Sequence, residues 1–331
     1  MKPVDPARAD APAVVNNRKP NGLDSRPAAI KAVPIRHWGR WVAAVVILYI
    51  FIALIYSLAR NEHLMWKTVW DGMFSAVVLR GLLRTIELTF IAMGIGMIGG
   101  TILAVMRLSK NYVLSSMAWF YIWFFRGTPV LVQILLWGNF AILFPHLFTT
   151  LPFTGLIWGG LDTNVWIGVF MASILALGLN EAAYAAELVR AGIISVDRGQ
   201  TEAAESLGLS FPQTMRRIVL PQAMRVIIPT MGNETISMLK TTALVMVIAG
   251  RELMTNLTIL YSQDLKIMPR LMIGCIWYLI LTTIFTIGQH YLERYFGRGF
   301  GTNETETAEK RALKRVQRMS HDLNEPGNWD A

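Results

Sequence analysis

The amino-acid sequence predicts an all-α polytopic membrane protein. Three observations carry that expectation. Of 331 residues, 53% are hydrophobic and only 16% are charged, a balance too apolar for an ordinary soluble domain. Six apolar runs, at 41–59, 84–106, 127–146, 165–188, 224–248 and 269–292, come close to the roughly 20 residues that a spanning helix needs. The basic residues flank these runs, so the net charge of +9 reads as membrane orientation and not as a nucleic-acid footprint. The single cysteine, Cys275, lies inside an apolar run, which excludes an internal disulfide.

Taken in order, residues 1–40 are rich in Pro, Ala, Asn and Arg and have little to bury, so a disordered tail is expected. The run at 41–59 is too long and too far from the N-terminus for a signal peptide, despite the loosely cleavage-like Ser57-Leu58-Ala59, and reads as a retained span. Within 84–106, Gly94-Ile95-Gly96-Met97-Ile98-Gly99 spells a dinucleotide fingerprint, but it follows no strand and sits inside a span. Gly96 and Gly100 instead form a G-x-x-x-G face suited to close helix packing in lipid. An interfacial stretch is expected at 113–125, with tryptophans such as Trp119 and Trp123 as interfacial anchors. A bend at Arg126-Gly127-Thr128-Pro129 then opens the third span, with Arg126 reaching back to the interface and Pro129 in the first helical turn.

Orientation follows from the flanks. The N-terminal tail, from Lys2 to Arg40, and the tail at 298–331, with Arg298, Lys310, Arg311, Lys314, Arg315 and Arg318, both carry Lys and Arg and are expected in the cytoplasm, which requires an even number of spans. The loops at 107–112 and 189–223 fall on the same side. The loop at 147–164 has no Lys or Arg and falls outside, and the 60–83 loop, with Arg60, Lys67 and Arg80, is the exception.

The segment 199–221 is polar yet ordered in its grammar. Gln200 to Leu207 is a run of good helix formers, and Gly208 supplies a left-handed stop. Ser210 is placed as an N-cap, with Gln213 three residues on as its capping-box partner and Pro212 in an early helical position. Leu220-Pro221 is expected to end the second helix. Ala203 and Ala204 allow close approach, and Glu202 and Glu205 offer charge. From the residues alone, such a hairpin suits docking into another protein's groove and equally a surface hairpin with no partner.

The full pattern Glu202-Ala203-Ala204, Gly208, Ile218, Leu220-Pro221 resembles the EAA signature of bacterial ABC importer permeases, with every spacing kept. FRGTPVLVQ (125–133), AAYAAELVRAGI (182–193) and NETISMLKTTAL (233–244) are similar to the polar amino acid branch of that family. The resemblance covers roughly 80–297 and implies a type I importer core of five spans, to which the span at 41–59 and both tails are additions. It implies that the loop couples to a separate ATPase, which would carry ATP and magnesium, since this chain has no G-x-x-x-x-G-K-[ST] loop and is expected to need no cofactor. It further implies a second permease, identical or related, an extracytoplasmic binding protein, a polar amino acid substrate and a place in the bacterial cytoplasmic membrane.

Polar residues inside spans are candidate substrate contacts. Asn233, Glu234 and Ser237 lie at helical spacing in the fifth run, and a glutamate at this point resembles a ligand in related permeases. A self-neutralising pair between helices is the alternative for Glu234. Lys240 is expected to pair with an acid or a helix end, Glu187 and Arg190 with each other, and Asn180 and Glu181 are candidates for the path wall. An ion-driven secondary transporter would also explain the intramembrane charges. An integral-membrane enzyme is disfavoured by scattered histidines (His37, His63, His146, His290, His321).

Overall fold

The structure, a computed structural model, describes residues 38–147, 153, 160–297, 312–313 and 316. The expected tails before residue 38 and from 298 on lie outside the described residues, those three positions apart, as does most of the loop at 147–164. The chain divides into two units at Arg60. The first holds α1 (Trp38–Ala59), 22 residues without a charge after Arg40, long enough to cross a bilayer.

The second unit begins with a 3-10 turn (Glu62–Leu64), α2 (Trp66–Met73) and α3 (Ala76–Leu108). At 33 residues, α3 is ~50 Å long, well beyond a ~30 Å hydrocarbon core. Arg80 and Arg84, placed by the sequence in or beside a loop, therefore lie in its protruding first turns, where Arg84 pairs with Glu87 at 2.7 Å and covers the Phe170 ring. Next come α4 (Tyr112–Gly127), α5 (Val130–Gly138) and α6 (Phe140–Leu143), a small β1–β2 pair (His146–Leu147 and Leu161–Asp162), α7 (Thr163–Trp166) and α8 (Val169–Ile194). The polar segment then forms α9 (Arg198–Ser206), α10 (Phe211–Thr214) and a π-helical turn (Met215–Val219) that runs into α11 (Leu220–Thr241). A 3-10 stretch (Thr242–Ile248), α12 (Leu253–Asp264) and α13 (Ile267–Phe296) complete the bundle.

Four helices are long and apolar enough to cross a membrane, and two bent pairs, α4 with α5 and α11 with α12, raise the number to six. That agrees with the number of apolar runs, but two boundaries need correction. Residues 113–125 are the body of the helix α4, and the third span is not a straight helix at 127–146 but part of a pair bent by 98°. The cause is local. Pro129 forces Thr128 into an extended conformation, with φ −111° and ψ 140°, and brings no N–H of its own. The carbonyls freed at the bend are satisfied by Gln133 Nε2, which donates to Phe125 O and Thr128 O at 3.0 and 3.1 Å, and by Asn180 Nδ2, which donates to Phe125 O at 3.1 Å. In hydrocarbon such partners are obligatory.

Small residues bring α3 and α8 together in parallel. A Cβ on Gly96 would overlap the Glu181 side chain, and one on Gly100 would lie 2.5 Å from Ala185 Cβ and 2.8 Å from Ala186 N. The expected G-x-x-x-G face is thus a helix seam, while a Cβ on Gly94 of the decoy fingerprint would meet no other part of the described structure within 4 Å. Gly100→Ala is expected to destabilise the bundle by about 1–3 kcal/mol, the usual cost of overpacking against backbone, and Gly94→Ala to leave it unchanged or slightly firmer. Detergent thermal melts of both variants check this.

Candidate functional site

The hairpin at 199–221 is built by short-range chemistry. Asp197 caps α9, accepting from Gly199 N at 2.7 Å. At the other end, Gly208 has φ +78°. Leu209 N donates to Ala204 O at 3.1 Å and Gly208 N to Glu205 O at 2.9 Å, the paired bonds of a Schellman stop. Ser210 is the N-cap of α10, and its N–H donates to Gln213 Oε1 at 2.9 Å.

The expectation for Leu220-Pro221 is overturned. The helix does not end there, because α11 starts at Leu220 and continues to Thr241. The π turn at 215–219 reaches one residue further for its bonds, which lets a prolyl ring and a missing N–H enter at Pro221 without a break. Ala204 is also not a docking surface: it is buried inside the hairpin, while Ala203 is exposed. Glu202 and Glu205 are exposed and form no ion pair among the described residues. Sequence reasoning missed Leu207 and Phe211, which flank the Gly208 turn at 82% and 69% exposure. Exposed apolar residues on both sides of a left-handed glycine were a signal available in the sequence. Ile218 is half-buried, and Gln222 Nε2 donates to Ile218 O at 3.1 Å.

A cavity of about 440 Å³ opens between the α4–α5 bend, α8 and α11. Arg126 and Thr128 line it from the bend, Asn180 and Glu181 from α8, and Glu234 and Ser237 from α11. Glu234 and Ser237 thus meet as expected, but Asn233 does not line this cavity. One helical position away from Glu234, its side chain is turned to an exposed face. Glu181 is 4% exposed, and its Oε1 has no hydrogen-bond partner among the described residues. The Asn180 amide is held by the bend and by Gln133 Oε1 at 3.1 Å, so it braces the wall as well as lining it. Glu187 and Arg190 pair at 2.6 Å, as the i,i+3 spacing predicts. Lys240 forms no ion pair among the described residues and sits in the last turn of α11, where a cation complements the helix dipole.

Residues 96–298 match the family of binding-protein-dependent transport system inner membrane components. The chain is 43% identical to the arginine transport system permease protein ArgU of Corynebacterium glutamicum, over 86% of this chain and 88% of that one. It is 36% identical to the probable amino-acid permease protein YxeN of Bacillus subtilis, over 70% of this chain and 98% of that one. Among solved structures, an amino acid ABC transporter crystallised with histidines superposes with a TM-score of 0.56 at 36% identity, covering 66% of this chain and 94% of its own. An inward-facing form of the MetNI methionine ABC transporter, at 17% identity and a TM-score of 0.51, shares the fold.

Proposed function

This chain belongs to the family of binding-protein-dependent transport inner membrane components, and from that premise we propose how its two sites divide the work. It is a multi-pass permease of an amino-acid ABC importer in the cytoplasmic membrane, a role that sets aside an ion-driven carrier. Its partners are an ABC ATPase and a substrate-binding protein.

In our reading the hairpin is the ATPase socket. Glu202, Ala203, Gly208, Ile218, Leu220 and Pro221 form it, joined by the exposed Leu207 and Phe211, with Ala204 as its internal packing. ATP and magnesium belong on the ATPase subunit. A second permease completes the path, and both tails lie in the cytoplasm. The observation that supports this division is the course of α8. It carries Glu181 in the cavity wall and leads, 13 residues later at Ile194, directly into the hairpin. Nucleotide-driven movement of the docked ATPase would then shift the cavity between two states through a rigid element.

For the cavity we propose a cationic amino acid. Two carboxylates, Glu181 and Glu234, face one space, and one has an oxygen without a partner. With Arg126 of the same wall meeting the substrate's α-carboxylate, an α-ammonium and a side-chain cation would satisfy both, whereas a neutral side chain would leave one carboxylate uncompensated. ArgU, the arginine permease of similar sequence, supports the same class. The test is a pull-down of the tagged chain from its own membranes in mild detergent with ATPase assay of the eluate. An active ATPase should co-elute with the wild-type chain and be lost from a Glu202→Lys, Phe211→Asp variant. Equal ATPase in both eluates would refute the socket.

A further inference from the structure

A second cavity, of about 530 Å³, lies beside the first at the end of the bundle that carries the hairpin. Its wall is basic and aromatic: Arg107 from the end of α3, Trp119, Trp123 and Arg126 from α4, and Tyr184 and Arg190 from α8. Glu187 is the one acid in that wall, and it is engaged with Arg190 at 2.6 Å. Among the described residues Arg107 and Arg126 form no ion pair, although Arg126 also faces the first cavity that Glu181 and Glu234 line. Arg107 donates to Ser115 Oγ at 3.1 Å, and Arg126 lies over the Tyr184 ring at 5.2 Å. Two guanidinium groups held on one wall, neither ion-paired among the described residues and Arg107 with no acid but the engaged Glu187 in its cavity, call for an anion.

The shape of the wall says which anion. Trp119 and Trp123 stack at 6.2 Å with an interplanar angle of 12°, and both are more than half exposed. Beyond them the outer face of α4 remains apolar and exposed through Val113, Met117 and Phe120. A small hydrated anion has no use for such a surface, but an acyl chain does. Basic pockets between spanning helices, at the level where a span meets the headgroups, are the recognised chemistry for anionic lipid.

We propose that this cavity is a binding site for an anionic glycerophospholipid. Its phosphate lies between Arg107 and Arg126, and one acyl chain lies along the Trp119–Trp123 face. Arg126 and Tyr184 line both cavities, and the guanidinium of Arg126 has donors enough to serve each; Arg107, Trp119 and Trp123 line only the second, so variants of Arg107 test the lipid apart from the substrate reading. Its position against the last turns of α8 puts the lipid beside the helix that leads to the hairpin, so membrane composition would bear on transport.

The test is native mass spectrometry of the full-length chain from lipid bilayer discs made with phosphatidylcholine and phosphatidylglycerol in equal parts. Wild type is expected to retain phosphatidylglycerol in preference to phosphatidylcholine. Arg107→Gln should retain about tenfold less of it, Arg107→Lys most of it, and Lys110→Gln, outside the cavity at the same end of α3, as much as wild type. No preference in the wild-type chain overturns the proposal even if Arg107→Gln does not fold. Equal retention by a folded Arg107→Gln also overturns it. Displacement of the lipid by millimolar glycerol phosphate would show a site for a small soluble anion instead and would reject the lipid.

Discussion

Gly208→Val is expected to abolish uptake while leaving the chain in the membrane at its normal level. No atom stands within 4 Å of a Cβ built at this position, so crowding is not the cause. The cause is φ, at +78°, which costs an ordinary L-residue roughly 1–2 kcal/mol and a β-branched one more. At ~2 kcal/mol the hairpin geometry is depleted about 30-fold relative to its competitors. Both Schellman bonds would be lost with it, and Leu207 and Phe211 would no longer share one tip. Asn tolerates the left-handed region, so Gly208→Asn should restore most uptake and Gly208→Ala should fall between. Transport-coupled ATPase activity and uptake in the four chains are the measurement. Normal coupling in Gly208→Val would mean that the tip geometry is irrelevant to docking.

Glu234→Gln is expected to weaken binding of a cationic amino acid to the purified importer by about 10- to 100-fold, the usual value of a hydrogen bond to a charged group in a shielded site. Assembly should be intact, because Glu234 is half-buried on the cavity side of α11 and forms no ion pair among the described residues. Glu181→Gln should act in the same direction. The two variants should also narrow the gap between arginine and glutamine, since each removes a charge that discriminates between them. Calorimetry on the importer without its binding protein reads this directly. Unchanged affinity in Glu234→Gln would return that residue to a structural role.

The sequence exposed those features whose causes are local. Gly208 was legible because a left-handed stop between two helix-forming runs has few other solutions, and Pro129 because it constrains the residue before it. Gly96 and Gly100 were legible as a close-packing face, although nothing near them in sequence names α8 as the partner. Pro221 was misread because the rule for proline assumes an α-helical register, and a π turn upstream changes that register. Helix α12 went unseen. Its buried N-cap Glu252 accepts from Met254 N and Thr255 N at 2.7 and 2.6 Å, but its 12 residues mix polar and apolar types with no clear period. The roles of Asn180 and Glu181 were illegible in detail, since both depend on contacts with α4, α5 and α3 that only tertiary packing creates.

The course of α8 has a mechanical corollary. From Ile194 back to Glu181 is ~20 Å along a continuous helix, backed at residues 181–186 by the glycines of α3. Such a rod works as a crank arm: a swing of about 5° at its foot displaces the Glu181 carboxylate by about 2 Å, the difference between a formed and a broken hydrogen bond. The Asn180 amide is bolted to the same arm and to the α4–α5 elbow, so the opposite wall cannot stand still while the first one turns. On the proposed division of the two sites, the grip on the cargo would be geared to the motor.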